Sequence, residues 1–483
     1  MKIDKVIDVL KKHNLLKEYN VKNESFSYVT YNSKEVIDNT LFICKGFNFK
    51  YDYLVNAKEN GASIYVSDIK YDIDMDYIVV TDIRKTMSLI GQEFYKLNNP
   101  LTKIGITGTK GKTTTVYFIH NILNTFRNKK TAYLSTIDYY TGKETGTSVN
   151  TTPESLDLCK YFKEIEDSSF NEVVMEVSSQ AEKLDRIYNQ KFSYGAFLNI
   201  GLDHISSHEH SDFDDYLNCK IEFLKKCETV FIYKETDYYE RIISSLGDKK
   251  VRTFGFDNSC DYVISGIKNV NDETIFNVND KEYKLKIKGD FNCINACCAI
   301  AIANTMGISY ETIYEGLYNT TVPGRMEYIS GFKCPIIIDY AHNKLSIETL
   351  INSVKSEYKD KNLKLVMGLP GDKAFNRRRE VAEVFPYFSK VYLTMDHPGS
   401  ESVIDICNEV ISYVKCDIPY EIIEDRTLAI KKALNEARTD DVLLILGKGN
   451  EDYQVINGKN VYYGGDKKVV LNVMEDIYGK CEN

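Results

Sequence analysis

The stretch Gly105-Ile106-Thr107-Gly108-Thr109-Lys110-Gly111-Lys112-Thr113-Thr114 decides the fold. It follows the apolar run Thr102 to Thr107, which reads as a strand, and it opens a helical pattern from Lys112. A glycine-rich turn in that position lets backbone N–H groups converge on phosphate oxygens, and the helix N-terminus adds a favourable dipole. Gly108, Thr109 and Gly111 then shape the cradle, Lys112 reaches the β- and γ-phosphates, and Thr113, with Thr114 beside it, offers a hydroxyl to magnesium. The strict G-x-x-x-x-G-K-[ST] spacing misses by one residue, because Ile106 stands where the first glycine belongs. The core T-G-T-x-G-K-T-T survives, so the loop is a variant P-loop. ATP use alone leaves kinase, ATPase and ligase open.

Working outward, VVMEV at 173–177, YGAFLNI at 194–200 and VFIY at 230–233 read as buried strands separated by helical stretches. That alternation implies a mostly parallel sheet covered on both faces. Residues 250–290 read as an antiparallel excursion, and helical pattern resumes over Asn292 to Met306. Upstream, LFICKG at 41–46, ASIYVSD at 62–68 and YIVVTD at 77–82, with a helix over Tyr53 to Asn60, form a small α/β unit that ends near Pro100. Downstream of Val322-Pro323-Gly324, the runs PIIIDYAH, LKLVMGLPG, KVYLTMD and DVLLILGKG each end in polar or glycine-rich residues. Ligands sit at such carboxyl ends in open α/β sheets. The expectation is an α/β protein of three domains, 1–98, 99–322 and 323–483, with a central P-loop domain and a Rossmann-like third.

Bulk composition narrows the classes. A hydrophobic fraction of 43% and a charged fraction of 27% are ordinary for a globular chain. No run approaches the ~20 apolar residues of a membrane span, and no apolar segment follows Met1-Lys2-Ile3-Asp4-Lys5, so a cytoplasmic protein without a membrane partner is expected. A net charge of -9 argues against a nucleic-acid surface but not against a local phosphate pocket. Twelve cysteines occur without a C-x-x-C pair, and Cys293, Cys297 and Cys298 fall in an apolar helical stretch, so they read as reduced core thiols.

Further stretches carry chemistry. Met175-Glu176-Val177-Ser178-Ser179 places a carboxylate near the end of a buried strand, costly unless it is paired or metal-bound. Asn199-Ile200-Gly201-Leu202-Asp203-His204 is followed by His208, Glu209, His210 and Asp212. Three histidines suggest zinc, but oxygen-rich surroundings beside a P-loop favour magnesium. Asn292 and Asn295 carry amides able to read a base edge, although Asn292 alone also reads as a helix cap. Asp339, in Asp339-Tyr340-Ala341-His342, ends a strand where a carboxylate can accept hydroxyl hydrogen bonds.

Together with Asn32-Ser33-Lys34-Glu35-Val36, Asn150-Thr151-Thr152-Pro153, Tyr216-Leu217-Asn218-Cys219-Lys220, Val322-Pro323-Gly324-Arg325 and Gly447-Lys448-Gly449-Asn450-Glu451-Asp452-Tyr453-Gln454, these stretches resemble the Mur ligases in the same order over nearly the whole chain. Within that family the last stretch resembles the GKGHEDYQ element of the MurE type. The resemblance implies an ATP- and Mg2+-dependent ligase that adds the third amino acid, L-lysine or another diamino acid, to UDP-MurNAc-L-Ala-D-Glu in peptidoglycan precursor synthesis. It implies substrate contacts at Ser33 (the UDP moiety), Thr151, Thr152, Ser178 and Arg186. Metal ligands at Thr113, Glu176, His204 and a carbamylated Lys220 are likewise implied, with Lys112, Glu176, His204 and Lys220 carrying the catalysis. Asn292 and Asn295 would face adenine, Arg325 a phosphate and Asp339 the ribose, while Asp396, Gly447 and Glu451 would position the incoming amino acid. His208 and His210 are read as solvated loop residues.

Some positions depart from the family pattern. Asp396-His397-Pro398-Gly399 occupies the place of D-N-P-R, whose Arg binds the distal carboxylate of diaminopimelate; glycine offers no such pair, which favours lysine. Lys373 stands where an Arg is expected, leaving Arg377, Arg378 or Arg379 for the α-carboxylate. The expected mechanism passes through an acyl phosphate, with ATP between the second and third domains and closure of the third excluding water. The partners are UDP-MurNAc-dipeptide and a free amino acid, and a monomer is expected. Two other readings stay open: a paralogue acting on another carboxylate and amine, like cyanophycin or folylpolyglutamate synthetases, and a non-catalytic nucleotide-binding regulator.

Overall fold

The computed structural model describes the chain except for residues 47–48, 202–204, 206–208, 271–272 and 480–483. It falls into two compact units, Met1–Tyr262 with Cys298–Gly316, and Val263–Cys297 with Leu317–Asn483. Among the described residues no helix is long and apolar enough to cross a membrane.

The first unit begins with strands β1 (Leu16–Asn20), β2 (Tyr28–Thr30), β3 (Thr40–Ile43), β4 (Ala62–Ser67) and β5 (Asp76–Val80), ordered β1-β5-β4-β3-β2. All neighbours are parallel except β1, which pairs antiparallel with β5. The apolar runs read from the sequence become β3, β4 and β5, whose Ile43, Ile64, Val66, Ile78 and Val80 share one core with Leu10 and Leu89. Next come β6 (Thr102–Thr107), β7 (Ala132–Leu134), β8 (Asp138–Tyr140), β9 (Thr145–Thr147), β10 (Glu172–Glu176), β11 (Phe192–Phe197), β12 (Cys227–Tyr233) and β13 (Lys250–Gly255). They run in the order β9-β8-β7-β10-β6-β11-β12-β13, and only the β7–β8–β9 end is antiparallel.

That order places the site. The chain leaves β6 toward β7 on one side and leaves β10 toward β11 on the other, so the crossovers diverge at the carboxyl end of β6, where α/β sheets open a crevice. Gly105 of β6 is required for packing: a Cβ there would meet Phe223 Cζ at 2.5 Å. Phe223 belongs to the helix Phe213–Lys225, so its flush seating brings that helix, with Lys220, against the sheet. One expectation is corrected. Residues 250–255, read as part of an antiparallel excursion, form β13, which extends the parallel sheet beside β12. Half-exposed alternation looks the same in either pairing.

In the second unit β14 (Tyr262–Val270), β15 (Glu273–Val278) and β16 (Lys281–Leu285) form the antiparallel meander that the sequence implies. The larger sheet follows: β17 (Glu327–Ile329), β18 (Ile336–Asp339), β19 (Asn362–Leu369), β20 (Lys390–Met395), β21 (Tyr420–Ile422) and β22 (Asp441–Leu446), ordered β17-β18-β22-β19-β20-β21. All but β17 are parallel. Ile336, Ile338, Val366, Leu443 and Ile445 sit in its core. The hairpin β23 (Tyr453–Ile456) and β24 (Lys459–Tyr462) follows β22.

Candidate active site

The phosphate loop leaves β6 at Thr107 and enters the helix Lys112–Phe126 through Gly111, whose φ of 85° suits glycine. Lys112 folds back over the loop, its Nζ donating to the carbonyls of Gly108 at 2.9 Å and Thr109 at 3.2 Å. Asn199, just past β11, holds the other flank: its Oδ1 accepts from Lys110 N at 2.8 Å, and its Nδ2 donates to the Lys110 carbonyl at 3.1 Å.

Glu176, at the end of β10 and only 1% exposed, is the hub beside the loop. Its Oε1 accepts from Thr113 Oγ1 at 2.8 Å and Thr136 N at 2.6 Å, and its Oε2 from Thr136 Oγ1 at 3.0 Å. A buried carboxylate is tolerable only with such partners. Thr136 Oγ1 also reaches Thr151 Oγ1 at 3.2 Å. Thr152 closes the same strand end: its Oγ1 donates to the Glu176 carbonyl and accepts from Ser178 N, each at 3.0 Å. Arg186 donates to the Thr152 carbonyl at 2.9 Å and pairs with Glu154 at 3.0 Å. Burial pushes the Glu154 carboxyl up, but Arg186 and Lys45, the latter 3.0 Å away, hold it below its ordinary range. Thus Thr113, Thr151, Thr152, Glu176, Ser178 and Arg186, distant in sequence, converge. Ser33 lies in the turn after β2, half-buried, with its carbonyl accepting from Asn60 Nδ2 at 3.1 Å.

Lys220 is 2% exposed; its Nζ donates to the Gly108 carbonyl at 3.0 Å and lies 4.6 Å from the Tyr216 ring centroid. It therefore meets the phosphate loop at the same Gly108 carbonyl that Lys112 Nζ reaches. His204 lies outside the described residues, as does His208. His210 corrects the reading of a solvated loop histidine. It is fully buried, because Ser179 Oγ at 2.8 Å and Asp215 Oδ2 at 3.2 Å satisfy its two nitrogens.

In the second unit, Asn292 and Asn295 are buried on one helix face and hydrogen-bonded: Asn295 Nδ2 donates to Asn292 Oδ1 at 3.2 Å, and Asn292 Nδ2 to the Lys288 carbonyl at 2.7 Å. Asp339, ending β18, accepts from the backbone N–H groups of Met326 and Ala341, each at 2.7 Å. Arg325 stacks on Tyr340, 4.5 Å from the ring centroid. The carboxyl ends of β20 and β22 bring Asp396, Gly447 and Glu451 together around Lys448, which is fully buried. Lys448 Nζ donates to Glu451 Oε2 at 2.6 Å and stands 3.6 Å from Asp396 Oδ1. Val455 N donates to His397 Nδ1 at 2.9 Å, and His397 Nε2 lies 3.1 Å from Glu451 Oε2 and 2.9 Å from Lys448 Nζ. Burial pushes the Glu451 carboxyl up, yet the His397 bond and the Lys448 charge outweigh it and hold it at about 2. Lys373 is exposed. Arg378 is spoken for: its Nη2 grips both oxygens of Glu401 at 2.8 and 2.9 Å, and its Nη1 bonds Glu409.

Comparison with known proteins now decides the family. Residues 106–303 match the Mur ligase middle domain, and residues 324–449 match the Mur ligase glutamate ligase domain. The chain is 37% identical to a UDP-N-acetylmuramyl-tripeptide synthetase of Lactobacillus delbrueckii, covering 97% of this chain and 98% of that protein. It is also 37% identical to the UDP-N-acetylmuramoyl-L-alanyl-D-glutamate--L-lysine ligase of Enterococcus faecalis, covering 95% and 96%. The chain belongs to the Mur ligase family. Among solved structures, a UDP-N-acetylmuramoyl-L-alanyl-D-glutamate--2,6-diaminopimelate ligase superposes with a TM-score of 0.64 at 21% identity, covering 98% of this chain and 99% of that one. The MurF ligase of Thermotoga maritima in complex with ADP gives 0.62 at 18%, covering 93% and 97%. As a Mur ligase the protein is an ATP-dependent, amide-forming ligase.

Several residues of this Mur ligase site escape sequence reasoning. Thr136 lies in a stretch with no motif, and only the pairing of β7 with β10 brings it to the loop, whereas Asn199 opens the quoted NIGLDH stretch but its grip on Lys110 is a product of the fold. His397 and Lys448 were visible, because they stand inside the DHPG and GKGNED stretches, but their pairing with Glu451 is a product of the fold.

Proposed function

We propose that this Mur ligase adds the third amino acid, L-lysine or another diamino acid, to UDP-MurNAc-L-Ala-D-Glu in peptidoglycan precursor synthesis. The observation that carries this reading is the likeness, over nearly the full length, to the Enterococcus faecalis protein named as the L-lysine-adding ligase. The site supports it. Asp396 and Glu451 outnumber Lys448 at one strand end, so the pocket suits a side-chain ammonium. Gly399 offers nothing to a distal carboxylate, and a Cβ there would meet Asp372 Oδ2 at 2.0 Å. The three-domain division, 1–98, 99–322 and 323–483, assigns the UDP moiety to Ser33 and the first domain, the phosphates to the second and the amino acid to the third.

Magnesium suits the donor set. The Thr113 hydroxyl and Glu176 carboxylate are hard oxygens 2.8 Å apart beside the phosphate loop. Those two, with His204 and Lys220 as a carbamate, would hold it; an unmodified Lys220 ammonium would repel a cation. When bound, the ion would neutralise charge on the phosphates. Lys112 and the loop N–H groups bind the γ-phosphate, Asn292 and Asn295 face adenine, Asp339 the ribose and Arg325 a phosphate. Thr151, Thr152, Ser178 and Arg186 hold the muramoyl peptide. Its D-Glu side-chain carboxylate oxygen attacks the γ-phosphorus in line, the bond to the bridging oxygen breaks, and ADP leaves. The α-amine of the incoming residue, oriented by Asp396, Gly447 and Glu451, then attacks the acyl carbon. Phosphate leaves, a proton departs from nitrogen, and the amide forms.

The test incubates the protein with Mg-ATP, UDP-MurNAc-L-Ala-D-Glu and L-lysine, L-ornithine or meso-diaminopimelate, with products read by mass spectrometry. L-lysine should give a product one lysine heavier with equimolar ADP, and diaminopimelate little or none. ADP release with no amino acid of any kind incorporated would overturn the substrate assignment.

A further inference from the structure

His210 is used by no step above, yet it is fully buried and bonded at both nitrogens. Ser179, at Nε2, starts the short helix after the strand end that carries Glu176 and Ser178. Asp215, at Nδ1, lies five residues before Lys220 on the helix Phe213–Lys225. The imidazole thus ties the end of β10 to the helix that brings Lys220 to the phosphate loop. Its ring meets Tyr216 edge-on, with centroids 5.2 Å apart and planes at 60°. From Tyr216 the contacts run into the loop. The Tyr216 hydroxyl and Thr109 Oγ1 share a buried hydrogen bond of 2.9 Å, and Thr109 Oγ1 also accepts from Gly201 N at 3.1 Å. The Lys220 ammonium lies over the same Tyr216 ring.

His210, Asp215 and Cys219 have ligand atoms within 4.8 Å of one another, which invites a metal reading. Two facts oppose it. The Lys183 ammonium occupies Asp215 Oδ2 at 2.5 Å, where a cation would have to displace it. Burial first, and the neighbouring Asp215 second, push the Cys219 thiol up to about 12, so the thiolate a metal needs is disfavoured. The cluster is instead a chain of hydrogen bonds, Ser179 to His210 to Asp215, with Lys183 and Cys219 at its Asp215 end.

We propose that His210 is a positioning residue for phosphoryl transfer, holding Tyr216 through the Ser179–His210–Asp215 chain so that Thr109 and Lys220 stand in register with the phosphate loop. The inference rests on the ligase reading of the site. A buried ring locked at both ends resists rotation, and a rigid Tyr216 fixes two groups of the loop at once. Loss of the lock loosens the transition-state geometry more than ground-state nucleotide binding, which most of the loop's backbone still supplies.

The test measures amino-acid-dependent ADP release for His210→Phe, Tyr216→Phe, Ser179→Ala and the His210→Phe/Tyr216→Phe double variant, with melting temperatures alongside. His210→Phe keeps the ring packing and removes both hydrogen bonds. It should lower kcat roughly ten- to a hundredfold while the KM for ATP moves less than about threefold. Tyr216→Phe should shift kcat in the same direction, and the double variant should be no slower than the slower single one. Should His210→Phe fail to fold, Ser179→Ala and Tyr216→Phe carry the test, each expected to lower kcat at unchanged KM. Wild-type kcat in His210→Phe, or losses that multiply in the double variant, would overturn the proposal. An inactive wild type would instead defeat the substrate assignment, so the two failures are distinguishable.

Discussion

At the scale of single residues, charge placement at the end of β20 and β22 governs both recognition and stability. Glu451 is held at about 2, against an ordinary 4.5, by the His397 bond and the Lys448 charge acting against burial. A depressed carboxyl contributes stability that is present above about pH 4.5 and lost as the pH falls toward 2. Glu451→Gln should therefore cost about 3 kcal/mol at neutral pH, because the buried Lys448 loses its nearest carboxylate and keeps Asp396 at 3.6 Å as its one anionic partner beside the His397 ring. Denaturant midpoints should show that difference shrinking as the buffer approaches about pH 3; a constant difference would mean that the charge is not what stabilises. Gly399 makes a second case. Its φ of +61° and the approach of Asp372 mean that Gly399→Arg should lower the melting temperature without conferring diaminopimelate use. Residues of this kind differ in how far the sequence reveals them. Glu176 was legible because an acid in an apolar run demands an explanation, and Lys112 because its loop has a fixed grammar. Thr136 was not, since a threonine in LSTIDYY carries no local signal and acts only through a neighbouring strand.

At the scale of elements, the apolar strands were legible and the polar ones were not. β3 to β6, β10 to β12, β18 to β20 and β22 all grew from continuous buried runs, whereas β1, LKEYN, is mostly exposed and gives no period to read. The short β7, β8 and β9 are only three residues each, below the length at which alternation means anything. Another element-scale feature was invisible altogether. Arg426, on the helix Arg426–Glu436, is fully buried and grips Asp466 with Nε and Nη2, both at 2.7 Å. The same guanidinium donates to the last carbonyls of β22, Leu446 at 2.9 Å, and of β20, Met395 at 3.4 Å. It therefore clamps the two strand ends from which Gly447 and Asp396 project. Arg426→Lys keeps the charge but loses the fork, and should destabilise the protein by about 3 kcal/mol or more. The KM for the amino acid should rise while the KM for ATP holds, which steady-state kinetics with each substrate varied in turn would check. An equal rise in both would indicate general loosening instead of a local clamp.

At the scale of the whole molecule, the order of motifs was readable along the chain, but the order of strands in space was not. Nothing local says that β10 inserts between β7 and β6, or that β1 returns to pair with β5; those choices depend on pairings far apart in sequence. The described cysteines are spread from Cys44 to Cys416 and so report on much of the fold. The eleven described cysteines are thiols, nine of them buried, with Cys219 and Cys416 half-exposed. Burial pushes Cys407 and Cys159 up to about 12, and Cys219 stands at about 12 as well, through burial and Asp215. Thiolates are the reactive species, so a native protein at mildly alkaline pH should react quickly with a disulfide reagent at Cys416 among the described positions. The nine buried thiols should stay silent, and Cys219 should lag despite its exposure. After denaturation every thiol should titrate, and pretreatment with a reductant should change neither count, because the fold uses no disulfide among these residues. Fast reaction at Cys219 would show that burial and the Asp215 carboxylate together do not hold its thiol up, and so would loosen the account of the packing around Asp215 from which the chain through His210 to the phosphate loop starts.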